Sequence, residues 1–139
     1  MPIKSEVIAN TKSERVHRVS ELADRKGRKR SGHFMVEGPQ SVRELLTYHP
    51  GIVEDLYVEV ESAQPDASFA TPVVAQMAGK AMQSGVYVHK VTHAVMHRMS
   101  ADAQGALAVA DMQAFLDSSA VPDDFDGHAM VAAFWQVRD

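Results

Sequence analysis

The sequence contains no cysteine among its 139 residues. This absence excludes a disulfide framework, a thiol nucleophile and a zinc site built on thiolates, and it is consistent with a reducing cytosol. Long apolar runs are also missing, because residues 105–110 and 129–135 fall far short of the ~18 residues that a membrane-spanning helix needs. The first residues carry no apolar segment of the kind that a secretory signal has. These absences predict a soluble, cytoplasmic protein with no membrane partner.

Charge is distributed unevenly along the chain. Residues 1–50 hold ten Lys or Arg against six Asp or Glu, whereas residues 51–139 hold four against twelve. The densest cluster, called here the basic segment, is residues 25–30, whose five cations are Arg25, Lys26, Arg28, Lys29 and Arg30. Such a run repels itself unless an anion lies among the cations. It predicts either a mobile, solvated loop or a surface that binds the phosphates of a nucleic acid.

Hydrophobic patterns predict strands that alternate with helices. A capping box formed by Thr11 and Glu14 begins a helix over residues 12–24, and Gly38 and Pro39 begin a second helix. Further helices are predicted to begin after residues 71–72 and after residue 92. The predicted strands are residues 33–37, 52–60, 86–91 and 105–110. This alternation predicts an α/β sandwich in which helices cover a sheet.

The composition changes after residue 111. Residues 112–128 are rich in Asp and predict an acidic linker, and the apolar residues that follow predict one more strand. The predicted organisation is therefore a domain over residues 1–111, a linker over residues 112–128 and a terminal strand over residues 129–139.

Two stretches of the sequence carry family motifs. Residues 28–38 read Arg-Lys-Arg-Ser-Gly-His-Phe-Met-Val-Glu-Gly, a basic run followed by Phe-x-Val-Glu-Gly. The second stretch begins at Val91 and Thr92, passes through Ser100 and ends on Gln-Gly-Ala-Leu-Ala over residues 104–108. Together they resemble the substrate-binding domain of the SpoU (TrmH) family of RNA ribose methyltransferases. The resemblance spans roughly residues 8–111, in the family's order and spacing.

The resemblance implies a fold, an activity and partners. The fold would be a three-layer sandwich with a mixed four-stranded sheet, similar to kink-turn-binding ribosomal proteins, and its partner would be RNA, with ribosomal RNA favoured over transfer RNA. The parent enzyme would transfer a methyl group from S-adenosylmethionine to a ribose 2′-hydroxyl in a second, knotted domain. Residues 129–139 resemble only the first strand of that domain. The parent is expected to dimerise through the missing domain, and no catalytic or cofactor-binding residue is expected in this sequence.

The predicted RNA-binding residues are the basic segment together with polar residues at the beginning of the first two helices. They are Lys12, Arg15, Arg25, Lys26, Arg28, Lys29, Arg30, Gln40 and Arg43. No metal site is predicted, because His93 and His97 stand four apart on a helix without a third ligand at a diagnostic spacing. These two residues and His89 are interpreted as surface histidines.

Two other functions stay open at the level of sequence. One is a stand-alone, non-enzymatic protein that binds kinked RNA, as some ribosomal proteins do. The other is a protein-interaction adaptor whose acidic second half is the working surface.

Overall fold

The computed structural model describes residues 3–118, which form an α/β domain. Its strands are β1 (Ile3–Ile8), β2 (His33–Glu37), β3 (Val53–Glu59), β4 (Tyr87–Val91) and β5 (Ala106–Asp111). Its helices are α1 (Glu14–Ser20), α2 (Arg25–Ser31), α3 (Pro39–Tyr48), α4 (Pro72–Gln83), α5 (His93–Met99) and α6 (Met112–Ser118). Short 3₁₀ turns lie at Glu21–Ala23 and Pro50–Ile52. No helix within residues 3–118 is long and apolar enough to cross a membrane.

The sheet is mixed and has the strand order β1-β4-β3-β5-β2. β1, β4 and β3 are parallel, whereas β5 runs antiparallel to both of its neighbours. The mixed sheet is therefore confirmed, but it has five strands and not four. The missed strand is β1, whose apolar residues Ile3, Val7 and Ile8 do not alternate with polar ones. It forms at the edge of the sheet by pairing with β4, a tertiary contact that local sequence does not reveal.

Helices cover both faces of the sheet, which gives three layers and two hydrophobic cores. The first core joins the sheet to α3, α4 and α6 and includes Phe34, Val36, Leu45, Leu56, Val74, Met77 and Phe115. The second core joins the opposite face to α1, the first 3₁₀ turn and α5, and it includes Val16, Val19, Leu22, Met35, Tyr57, Met96 and Leu107. Successive residues of β2 and β5 enter opposite cores, as the pleat of a strand requires.

The basic segment is helical, so the prediction of a mobile loop is wrong. Asp24 begins α2, and its side chain accepts a hydrogen bond from the backbone N–H of Lys26 at 2.8 Å. Gly32 ends the helix at a φ of +76°, a left-handed conformation that suits glycine. The predicted helix over residues 12–24 is also corrected, since Ser13 caps α1 and the helix gives way to the 3₁₀ turn after Ser20.

The beginning of the predicted linker belongs to the folded domain. Met112–Ser118 is α6, and Asp111 caps it by accepting a hydrogen bond from the Ala114 N–H at 2.9 Å. Phe115 is buried, with its ring centroid 6.0 Å from that of Phe34 and 5.3 Å from that of His49. The rest of the predicted linker and the predicted terminal strand lie outside the described residues.

Candidate nucleic-acid interface

The basic segment presents its cations around the outward side of α2. Gly27 faces the 3₁₀ turn at Glu21–Ala23 and is buried against it. At 100° per residue, Arg25 and Lys29 project opposite to Gly27 and share the outermost face of the helix. Arg25, Lys26, Lys29 and Arg30 are exposed, and Arg28 is half-buried. The five predicted cations therefore lie on one short helix at the surface.

Two of these cations also contact the 3₁₀ turn that precedes α2. The Arg28 guanidinium donates a hydrogen bond from Nη1 to the Leu22 carbonyl at 3.1 Å, and Nη2 of Arg30 lies 3.5 Å from Oε2 of Glu21. The Arg30 pair is solvent-exposed, so it contributes little stability. In contrast, none of the described carboxylates forms an ion pair with Arg25, Lys26 or Lys29.

Arg15 is hydrogen-bonded to a buried residue of the domain, which its position in the sequence does not indicate. Its Nη1 donates a hydrogen bond to the hydroxyl of Tyr57 at 3.0 Å, and this bond raises the pKa of the Arg15 guanidinium. Tyr57 is 2% exposed. Burial raises the pKa of its phenol, and the hydrogen bond from Arg15 offsets part of that rise. Arg15 therefore orients a buried hydroxyl in addition to any contact that it makes with a ligand. Lys12 is exposed just before α1.

A pocket of about 340 Å³ joins α1 to the end of the basic helix. It is bordered by Arg15, Arg18, Val19, Leu22, Ser31, His33, Glu54, Asp55, Tyr57 and Val109. Arg18 was not among the predicted site residues. The signal that could have identified it is its spacing, since Arg18 follows Arg15 by three residues and so lies on the same side of α1.

Gln40 and Arg43 lie apart from the basic helix. Both are exposed near the beginning of α3 and border a different pocket of about 480 Å³, together with Val73 and Gln104. α2 precedes β2 and α3 follows it, so the length of β2, roughly 16 Å, separates the two groups. They also belong to opposite faces of the sheet. Arg15 thus shares a pocket with Ser31 at the end of α2, whereas Gln40 and Arg43 form a second surface.

The histidines singled out by sequence divide into two kinds. His93 and His97 are exposed, as predicted. His89 is buried, so that prediction is wrong: its Nε2 lies 2.6 Å from Oδ1 of Asp55, and its ring stacks on Tyr57 at 5.0 Å. Together with Arg15, these residues form a polar network beneath α1.

Comparison of the sequence with models of protein families identifies the family of this chain. The model of the MRM3-like substrate binding domain matches residues 13–110, which is more than half of the chain. The chain belongs to this family. The match confirms the resemblance to the SpoU (TrmH) type of N-terminal substrate-binding domain. No curated protein sequence matches the chain.

Solved structures share the fold of this MRM3-like domain. An rRNA methyltransferase from Sinorhizobium meliloti is 20% identical with a TM-score of 0.57, over 80% of this chain and 38% of that one. An RNA 2′-O ribose methyltransferase is 23% identical with a TM-score of 0.57, over 76% of this chain and 37% of that one. The SpoU methyltransferase AviRb from Streptomyces viridochromogenes, in complex with AdoMet, is 19% identical with a TM-score of 0.53, over 82% of this chain and 41% of that one.

The chain spans about two-fifths of the length of each of these three structures. At this level of identity the likeness establishes the fold alone. The predicted similarity to kink-turn-binding ribosomal proteins and the assigned roles of the nine site residues stay predictions.

Proposed function

We propose that this domain binds structured RNA and presents it to the catalytic module of a SpoU-family 2′-O-ribose methyltransferase, with ribosomal RNA favoured as the substrate. The observation that carries the proposal is the basic helix α2, on which the exposed cations Arg25, Lys26 and Lys29 form no ion pair with a carboxylate of residues 3–118. Membership of a substrate-binding family and the fold shared with RNA methyltransferases support it.

The fold lowers the cost of holding so many cations on one helix. Arg28, Lys29 and Arg30 occupy the last turn of α2, where the negative end of the helix dipole favours positive charge. Asp24 places a carboxylate at the opposite, positive end. The cap and the helix dipole offset part of the repulsion among the cations, and a phosphate backbone would replace that repulsion with attraction.

The two polar surfaces are proposed to act differently. The α2 surface, extended by Lys12 and Arg15, would supply most of the electrostatic attraction. Gln40 and Arg43 would form a separate contact near the opposite end of β2. Only an RNA that extends around the domain could reach this contact and the α2 surface at the same time.

The parent protein is proposed to use S-adenosylmethionine, because the AviRb structure contains AdoMet. It is further proposed to act in the cytoplasm and to dimerise through its catalytic module. The domain described here is not expected to bind the cofactor by itself.

The test is the salt dependence of RNA affinity, measured for the whole chain between about 50 and about 200 mM salt. The variant Arg25→Gln/Lys26→Gln/Lys29→Gln removes the three cations without an observed ion pair and keeps good helix formers. We expect it to weaken binding and to reduce the slope of log K against log[salt] by about two to three, since each lost phosphate contact removes roughly 0.7–0.9.

The matched control is Lys80→Gln, which removes a cation from α4 on the opposite face of the sheet. It should leave the slope unchanged. A triple variant that folds and retains the wild-type slope would remove the basic helix from the interface. Failure of the whole chain to retain any RNA at low salt would instead favour the adaptor function.

A further inference from the structure

Three side chains with metal-binding atoms meet at one end of the sheet. They belong to His33 at the beginning of β2, Glu54 in β3 and Asp111 at the end of β5. One donor atom from each lies within 4.8 Å of the other two, and Nε2 of His33 is 2.9 Å from Oε1 of Glu54. Within residues 3–118 this is the only such group of three.

The sheet itself builds this arrangement. The antiparallel register of β2 and β5 sets His33 directly opposite Asp111, so the two side chains lie on the same face. Glu54 arrives from the third strand because the pairing of β3 with β5 shifts between Val53 and Asp55. Val53 and Leu56 both enter the first core, which regular alternation would forbid. The extra residue in this bulge turns Glu54 toward His33.

The donor set has a definite chemical preference. One imidazole nitrogen with two carboxylate oxygens suits Zn²⁺ or Mn²⁺, whereas Mg²⁺ and Ca²⁺ favour oxygen ligands alone. Three protein ligands also leave a coordination position for water or another ligand. The Ala114 N–H donates a hydrogen bond to Oδ1 of Asp111 at 2.9 Å, and such a bond orients a carboxylate for binding a metal.

We propose that His33, Glu54 and Asp111 form a binding site for one divalent transition-metal ion. The nearest guanidinium groups do not occupy it, since Arg15 is bonded to Tyr57 and Arg18 pairs with Glu14 at 3.1 Å. The site adjoins the end of α2, because the Met112 N–H donates to the Gly32 carbonyl at 2.9 Å. A bound ion would join β2, β3 and β5. This proposal does not depend on RNA binding.

The test is a calorimetric titration of the untagged whole chain with Zn²⁺ in the absence of RNA. We expect one triad-dependent equivalent to bind. Glu54→Gln and Asp111→Asn should each weaken Zn²⁺ binding at that site at least about tenfold. Even the loss of a group that only orients a metal ligand lowers metal affinity about 10–100-fold. Asn can still accept the Ala114 hydrogen bond, so Asp111→Asn preserves the cap of α6. Zn²⁺ should also shift the imidazole nitrogen resonances of His33 in long-range ¹H–¹⁵N spectra.

Glu59→Gln is the matched control. Glu59 forms the same kind of pair, with Oε2 lying 3.0 Å from Nδ1 of His93, but no third donor among residues 3–118 completes a triad there. This variant should bind Zn²⁺ like the wild type. Absence of binding would overturn the proposal. Binding that persists in the Glu54 and Asp111 variants, or that leaves the His33 resonances unmoved, would overturn it as well.

Discussion

Gly27 is the residue on which the position of the basic helix depends. A Cβ atom built at this position would overlap the carbonyl oxygen of Glu21, a backbone atom that cannot move without displacing the 3₁₀ turn. We therefore expect Gly27→Ala to lower the free energy of unfolding by about 1–3 kcal/mol, as overpacking does elsewhere. Urea denaturation followed by circular dichroism measures the change.

Gly79 provides the matched comparison for Gly27. It lies in the interior of α4, and a Cβ atom there meets nothing within 4 Å. Ala is the better helix former, so Gly79→Ala should raise the free energy of unfolding by about 0.5–1 kcal/mol. Equal effects of the two substitutions would contradict the close packing of α2 against the turn.

Residue types predicted parts of the site but not its geometry. Five cations in six positions are visible in the sequence, and they do share one short helix. The group of His33, Glu54 and Asp111 could not be predicted, because its members are far apart in sequence and meet only through strand register and a bulge. The buried pairing of His89 with Asp55 depends on β3 and β4 lying side by side, which a single strand pattern does not reveal.

The helix α6 is the element whose attachment is most readily tested. Phe115 fills the first core against Phe34, whereas the neighbouring Leu116 is 46% exposed. Phe115→Ala should lower the free energy of unfolding by about 3–5 kcal/mol, because it removes a buried ring and leaves a cavity. Leu116→Ala should change it by less than about 1 kcal/mol.

Chemical denaturation of both variants in the same buffer distinguishes a folded α6 from a linker. A Phe115→Ala protein as stable as Leu116→Ala would mean that residues 112–118 do not pack on the domain in solution.

Elements with strong local signals were predicted closely. α3, α4 and α5 begin at the predicted residues because Gly-Pro, Thr-Pro and Thr signals coincide with apolar positions at helical spacing. α2 was missed although signals for it were present, since Asp24 and Gly32 bracket a segment in which five of the seven residues are Arg or Lys, which are good helix formers. The segment was instead interpreted as a loop, because five like charges in six positions repel one another. α6 was missed because the many Asp residues of the 112–128 segment indicated a linker, although Phe115 is a large apolar residue within it.

At the scale of the whole molecule, the order of the strands predicts a gradient of stability. β3 lies between β4 and β5, whereas β1 has a single partner and an irregular register. Amide hydrogen exchange should therefore be at least about tenfold slower in β3 than in β1, since edge segments open locally without global unfolding. Exchange measured by mass spectrometry with peptide resolution tests this. Equal protection of β1 and β3 would contradict it.

The pairing of β1 with β4 also has a consequence for synthesis on the ribosome. Among the described strands β1 emerges first, and its place is beside β4, which is translated after β2, β3 and the four helices α1 to α4. Until β4 has left the exit tunnel, residues 3–8 have no neighbour with which to form backbone hydrogen bonds. The nascent domain must therefore complete its sheet late, because β1 waits for β4, and β5, which joins β2 to β3, follows β4 in the chain.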